Sequence, residues 1–534
     1  MKSISNRNFL LLAVLFGVIN WAAWPARGFA PLLFASWLPL LFIENKFFEN
    51  GNLKKRKLFG LLYLSFFLWN VLTTWWIYYS TFFGAVMAIG LNSLFMSLVF
   101  LLWHLFHVRA KSDFSYAALP VLWITWEYFH LDWDLSWPWL TLGNGFAAYT
   151  KLIQWYEYTG VFGGGLWMLA SNILLFLFLK NRESMPSVSR KIILIWIALI
   201  ASPILISNWI YISYKEKESP VDIAIVQPNI DPYNEKFDGM PVDVQLNRLL
   251  TLADKVVDSG TDYLICPETA IPSGVWENEL KENDEILSLK AYLAKHKNLT
   301  LIIGASTYMY YGNDSTASST VRYRKQPGYY YDSFNTAFQI TENDSIQVHH
   351  KSKLVPGVEM MPFPKLMMPL QEFAFDLGGM VGSLGTQKTP SVFSNVFGSN
   401  TRMAPIICYE SIYGEYVSKY VNSGANMLAI ITNDGWWDDS PGYRQHLQYG
   451  RLRAIEMRRS IARSANTGIS AFINQRGDIS QATGWWVQAA IKQTINKNEA
   501  VTFYAKHGDY IATFFKWLSL ILILMFPFLK FIRR

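Results

Sequence analysis

Apolar runs separated by short polar connections fill the first two-fifths of the chain, and one more run closes it. A bilayer core of about 30 Å takes roughly 20 helical residues to cross. Eight runs are candidate spans: 8–25, 30–44, 58–80, 83–107, 115–131, 161–180, 191–213 and 511–531. The first two are short and meet at a tight turn, Pro25-Ala26-Arg27-Gly28. The first also has the core of a signal peptide, but no small-residue cleavage site follows it. From 214 to 510 the pattern changes. Val221–Gln227, Tyr263–Pro267, Leu299–Gly304, Met403–Cys408, Met427–Thr432 and Ile469–Asn474 are short, apolar or β-branched, and read as buried strands. Helical spacing lies between them at 241–258, 282–296 and 443–462. This alternation predicts an α/β domain with a buried sheet. The expected organisation is a seven-span domain (1–213), a folded domain (214–510), and an eighth span with a tail (511–534).

Charge orients this frame. With the first residues in the cytoplasm, the inside connections hold sixteen Lys and Arg, and the outer loops only Arg27 and Lys151. That is the positive-inside pattern, and it puts both termini inside and 214–510 outside. The inside pieces balance to +12, more than the whole-chain +7, so the rest of the chain is −5. The basic character belongs to the topology, and nucleic acid is dropped as a partner. Charged residues are 16% of the chain, against about 25% for a soluble domain, which argues against an ordinary cytosolic enzyme. Two cysteines, Cys266 and Cys408, exclude a disulfide scaffold; sequence alone leaves open a bond between them.

Three motifs sit at predicted strand ends, where α/β folds place chemistry. They are Cys266-Pro267-Glu268-Thr269, then His349-His350-Lys351-Ser352-Lys353-Leu354-Val355-Pro356 with Glu359, then Ile406-Ile407-Cys408-Tyr409-Glu410. A thiol, a carboxylate and an ammonium make an acyl-transfer set: nucleophile, proton carrier and oxyanion partner. Each also has a plain role. A Cys at a strand end is a small hydrophobe, a Glu after Pro is a solvated turn residue, and Lys351 sits in a charge cluster. Glu127, inside the fifth run, reads either as a functional intramembrane acid or as a hydrated residue near the outer surface, and the second is favoured. No metal-ligand spacing or phosphate loop stands out, so no cofactor is expected.

Taken in order, the three motifs resemble the nitrilase (carbon–nitrogen hydrolase) superfamily. With the eight-span frame, the whole chain resembles the apolipoprotein N-acyltransferases. Further matches are Val226-Gln227-Pro228-Asn229-Ile230, Thr432-Asn433-Asp434-Gly435-Trp436-Trp437, Arg463-Ser464-Ala465-Asn466-Thr467-Gly468 and Trp137-Pro138-Trp139-Leu140. The resemblance implies a polytopic membrane protein with an external αββα sandwich. It implies Cys408 as nucleophile, Glu268 as general base and Lys351 as oxyanion partner, with Glu359, Tyr409 and Glu410 around them. It implies a phospholipid acyl donor, an apolipoprotein acceptor, the bacterial inner membrane, a periplasmic catalytic domain and a monomer. Three positions depart from the family pattern: Lys353 replaces a His, Gly357-Val358-Glu359 replaces Phe-Gly-Glu, and Phe237 stands where a Trp is expected. Two other readings compete. A tethered amidase for a small amide needs only one anchor, and a transporter calls for intramembrane charge pairs or related halves.

Overall fold

The structure, a computed structural model, describes residues 6–51, 53–237, 239–343, 345–364 and 383–528. The chain forms two compact units. One gathers Met1–Tyr78, Gly84–Ser213 and His507–Arg534; the other gathers Tyr79–Phe83 and Tyr214–Lys506.

In the first unit, five helices are long and apolar enough to cross a membrane: Asn6–Ala23, Lys55–Tyr79, Phe82–Ala110, Tyr156–Asn181 and Pro186–Ser213. The other three expected spans are shorter as helices. Leu38–Glu49 and Ala118–Phe129 have 12 residues each, and Tyr510–Met525 has 16. At 1.5 Å per residue the 12-residue helices reach only about 18 Å. The run at 30–44 is split because Pro31 and Pro39 each open a new element, a 3-10 turn at Ala30–Phe34 and then the helix from Leu38. Glu127 corrects the reading favoured from sequence. It is buried inside this unit, and its Oε1 accepts from Trp123 Nε1 at 3.0 Å and from the Leu142 N–H at 2.9 Å. Those two donors replace the water that was expected there.

The second unit is built on two sheets. The first carries β1 (Pro220–Gln227), β2 (Tyr263–Ile265), β3 (Ile271–Trp276), β4 (Thr300–Gly312), β5 (Arg322–Arg324), β6 (Tyr329–Ile340), β7 (Gln347–His350) and β14 (Ala489–Asn496). Its order is β14-β1-β2-β4-β6-β5, with β3 beside β4 and β7 beside β6. The second carries β8 (Phe393–Ser394), β9 (Arg402–Ile407), β10 (Met427–Thr432), β11 (Ile461–Ala465), β12 (Ala471–Ile473) and β13 (Ile479–Ser480), in the order β13-β12-β11-β10-β9-β8. Strands β1, β2 and β4 run parallel, as do β9, β10 and β11.

The period-2 alternation of β1 shows how the layers stack. Val221, Ile223 and Ile225 pack with Met403, Ile407, Ala429, Ile431 and Phe472 of the other sheet. Ala224 and Val226 pack on the opposite face, with Leu246, Leu249, Leu289 and Leu293 of the helices Val242–Ala253 and Asp284–Leu293. On the far side of the second sheet, the helix Pro441–Met457 lays Gly450 against Ile430 and Ile473. The result is an αββα sandwich. Buried on both faces, the parallel strands show no polar alternation: all six residues of β10 are buried.

Candidate active site

Strand ends deliver the three motifs. β2 ends at Ile265 and Glu268 follows, β7 ends at His350 and Lys351 follows, and β9 ends at Ile407 and Cys408 follows. All three side chains are buried. Lys351 Nζ donates to Glu268 Oε1 at 3.0 Å and to Glu359 Oε1 at 2.7 Å. Asn335, on β6, bridges the same two carboxylates, donating through Nδ2 to Glu268 at 2.7 Å and to Glu359 at 3.0 Å. The Asn433 N–H donates to Glu268 Oε2 at 3.0 Å. These bonds use two of the Lys351 N–H groups, and the third is left for another acceptor.

Backbone geometry sets this arrangement. Thr269 lies at φ +52° and Cys408 at φ +49°, in the left-handed region where non-glycine residues are uncommon. Gly304 lets the Glu268 turn sit close: a Cβ there would lie 2.5 Å from the Thr269 N and 2.6 Å from the Glu268 Cα. Gly357 adopts φ +78° in the lysine loop, and the Val355 N–H donates to Glu359 Oε2 at 2.9 Å. Glu359 therefore holds both Lys351 and its loop, with glycine at the position that the family pattern gives to Phe. Lys353, which stands where the family has His, lies over the Tyr413 ring at 5.2 Å.

Glu410 joins two of the motifs. Its Oε2 accepts from the Ile407 N–H at 2.9 Å and its Oε1 from the Ser352 N–H at 2.7 Å. It therefore ties the strand carrying Cys408 to the loop carrying Lys351. Burial works against its charge, but His349 and these N–H groups hold the carboxyl below its ordinary range. Tyr409 is buried next to Cys408 with its ring edge-on to Tyr413, at 5.3 Å between centroids.

Burial sets the resting protonation of the nucleophile. Burial and the Glu268 charge push the Cys408 thiol well above its ordinary range, and the opposing pull of Lys351 and Thr432 is smaller. Lys351 does lower the thiol, but the carboxylate of Glu268 shares the site and acts the other way. Against the cost of burial, Glu268 and Glu359 hold the Lys351 ammonium well above the usual lysine range. The thiol therefore rests neutral beside the Lys351 ammonium, with Glu268 within hydrogen-bond reach of that ammonium. Cys266 is a free, buried thiol, as is Cys408, so the disulfide left open by the sequence is not formed.

Several residues around the site had no role assigned from sequence. Asn335 lies in no motif. Thr432, Asn433, Asp434 and Arg463 lie in stretches matched only by resemblance, and His446 and Lys236 in none. Lys236 is buried, and its Nζ donates to the Glu268 carbonyl at 3.3 Å. Phe237 stacks on Trp436 at 6.2 Å between centroids. Ligand atoms of Cys408, Asp434 and His446 lie within 4.8 Å of one another, close enough to suit a metal ion. The Arg463 guanidinium, 2.5 Å from Asp434 Oδ2, supplies the positive charge at that carboxylate instead. The sequence also offers the glycine-rich stretch 373–388 as a candidate for movement, and its residues 373–382 lie outside the described residues.

The second unit, an αββα sandwich with a buried Glu, Lys and Cys at strand ends, is of the carbon–nitrogen hydrolase class by its family match. Residues 222–503 match the carbon-nitrogen hydrolase family model, and residues 16–174 match that of the apolipoprotein N-acyltransferase N-terminal domain. The chain is 32% identical to the apolipoprotein N-acyltransferase of Chlorobaculum tepidum over 511 residues, covering 94% of this chain and 92% of that one. It is 26% identical to that of Geobacter metallireducens over 529 residues, covering 96% and 93%. A solved structure of Saccharomyces cerevisiae Nit3, a nitrilase-superfamily member, is 14% identical with a TM-score of 0.35, covering 55% of this chain and 95% of that one. The chain belongs to the apolipoprotein N-acyltransferase family.

Proposed function

We propose that this protein moves an acyl chain from a membrane phospholipid to the N-terminal amine of the diacylglyceryl-cysteine of apolipoproteins. The observation that carries the reading is the buried Glu268–Lys351–Glu359 cluster beside the strand end of Cys408, in a chain that aligns over nearly its whole length with enzymes of that name. Cys408 Sγ attacks the ester carbonyl of the phospholipid, and Glu268 takes the thiol proton. Lys351 holds the oxyanion with its third N–H. The C–O bond breaks, and Glu268 passes the proton to the departing lysophospholipid alkoxide. The acyl group now rests on Cys408 as a thioester. The apolipoprotein amine attacks it, Glu268 accepts the amine proton, the C–S bond breaks, and the proton returns to sulfur. Glu359 and Asn335 keep Lys351 and Glu268 in register, and Glu410 keeps Lys351 and Cys408 in register.

The proposed setting is the bacterial inner membrane, crossed eight times, with both termini cytoplasmic, the 214–510 domain periplasmic and the protein monomeric. The charge bias of the loops supports this orientation. The short helices Leu38–Glu49 and Ala118–Phe129 reach further when counted with the 3-10 turns Ala30–Phe34 and Asp113–Ala117 before them. Seven apolar runs ahead of the domain favour a lipid substrate over a small soluble amide. The test is incubation of purified protein with phosphatidylethanolamine and a synthetic diacylglyceryl-cysteine peptide, read by mass spectrometry. An added acyl mass on the peptide α-amine, lost in Cys408→Ser, is expected; hydrolysis of small amides with no transfer to the peptide overturns the reading.

A further inference from the structure

Behind the nucleophile lies a second buried polar cluster that the acyl-transfer scheme leaves without a role: Ser411, Thr432, Asp434, His446 and Arg463. Asp434 is its centre. Its Oδ2 accepts from the Arg463 guanidinium at 2.5 Å, and its Oδ1 accepts from Thr432 Oγ1 at 2.7 Å and faces His446 Nδ1 at 2.9 Å. The other imidazole nitrogen, Nε2, lies 3.2 Å from the Cys408 carbonyl oxygen and 2.9 Å from Ser411 Oγ. Ser411 Oγ donates to the same Cys408 carbonyl at 2.7 Å. Thr432 also acts on the Cys408 thiol, pulling it down against burial and the Glu268 charge. Asp434 therefore contacts two residues that flank Cys408: Thr432, and His446, whose Nε2 faces the Cys408 carbonyl. The residue so clamped lies at φ +49°, a conformation that persists only where its surroundings hold it.

We propose that Asp434 and His446 are positioning residues that hold Cys408 in its left-handed turn and keep its sulfur facing Glu268 and Lys351 through both halves of the reaction. This rests on Cys408 being the acyl-carrying nucleophile. The charges that act on Cys408 come from three elements: Glu268 after β2, Lys351 after β7 and Asp434 after β10. Arg463 on β11 balances Asp434. Of those three charges, Lys351 alone lowers the thiol, so a sulfur that swings away from it titrates higher.

The test uses full-length protein in micelles with phosphatidylethanolamine, comparing His446→Leu, His446→Gln and Ser411→Ala with wild type. Two quantities are read: the rate of thioester formation on Cys408 as a function of lipid, and the pH midpoint for alkylation of Cys408 by iodoacetamide. His446→Leu is expected to lower the saturated rate about 100-fold, the scale of a small misplacement of reacting atoms. Half-saturation by lipid stays within about twofold, as for a loss felt only in the reaction step. His446→Gln, which keeps a donor and an acceptor, recovers about tenfold of that loss, and Ser411→Ala loses about tenfold. The alkylation midpoint of His446→Leu moves upward. Wild-type rates and midpoints in folded His446→Leu and Ser411→Ala, or a change in half-saturation alone, overturn the proposal. If His446→Leu does not fold, Ser411→Ala decides it, and a wild-type rate there is a refutation. If wild type forms no thioester, the acyl-transfer reading fails, while the alkylation midpoints still decide whether the cluster sets Cys408.

Discussion

Lys351 is the residue on which the site's charge balance turns. It donates to both Glu268 and Glu359, and those two side chains hold its ammonium well above the usual lysine range against the cost of burial. Asn335 matters because its single amide group donates to both carboxylates and so sets their separation. Asn335→Ala is expected to lower kcat by about 10- to 100-fold with little change in half-saturation, checked by steady-state transfer assays. Asp434 gives a separate prediction. Burial raises its carboxyl, but Arg463 and His446 pull it down further, to about 2 from 3.8. A folded-state value below the unfolded one means that its stabilisation is complete above about pH 4 and drains away as pH falls toward 2. Asp434→Asn leaves Arg463 buried without its anion, and a loss of about 3–5 kcal/mol at pH 7 is expected from denaturant melts. The gap between variant and wild type should narrow as pH falls from 4 to 2. Glu268 and Cys408 stood out at the ends of strand-like runs and Lys351 within a His-Lys motif, while the roles expected of them came from the resemblance. Asn335 did not stand out, since it sits within a strand and nothing local distinguishes an inward polar residue with partners from one without.

At the scale of elements, strand ends do the positioning, and most of those strands were legible because buried parallel strands are short apolar runs. Four of the six expected strands coincide with β1, β2, β9 and β10 to within a residue or two. Leu299–Gly304 opens the longer β4, and Ile469–Asn474 contains β12. The helical pattern expected at 443–462 overshoots: the helix stops at Met457 because Ile461 already begins β11. Periodicity alone could not separate the two, since both mix Arg with apolar residues and both are largely buried. The β4–β6 arm runs past the sandwich, with Tyr310 paired to Tyr331, and was invisible as a run because its Tyr, Ser and Asn residues are polar in part. Gly304 is the element-scale constraint on Glu268. Gly304→Val is expected to cost about 2–4 kcal/mol in stability, by overpacking against the Thr269 backbone, and to depress activity in whatever fraction remains folded. Thermal melts with parallel assays check this.

The whole molecule joins a helical unit with long apolar helices to an α/β unit carrying the chemistry. Hydropathy overstated how regular the helical unit is. It counts apolar residues, whereas Pro31 and Pro39 break the second run and 3-10 turns take up part of others. Orientation is a prediction at this scale. Single cysteines placed at Lys54 and at Asn313, in a Cys266→Ala/Cys408→Ser background, should be labelled by a membrane-impermeant maleimide only at Asn313 in intact cells with a permeable outer membrane. Labelling at Lys54 instead would reverse the topology. The central claim is that Cys408 carries the acyl chain between two lipids. It is tested most directly by intact-protein mass spectrometry after incubation with phosphatidylethanolamine alone. The account predicts an acyl mass on wild type that hydroxylamine removes and Cys408→Ser lacks. A folded wild-type protein that never acquires that mass, or a Cys408→Ser protein that acquires the same hydroxylamine-sensitive adduct, would contradict it.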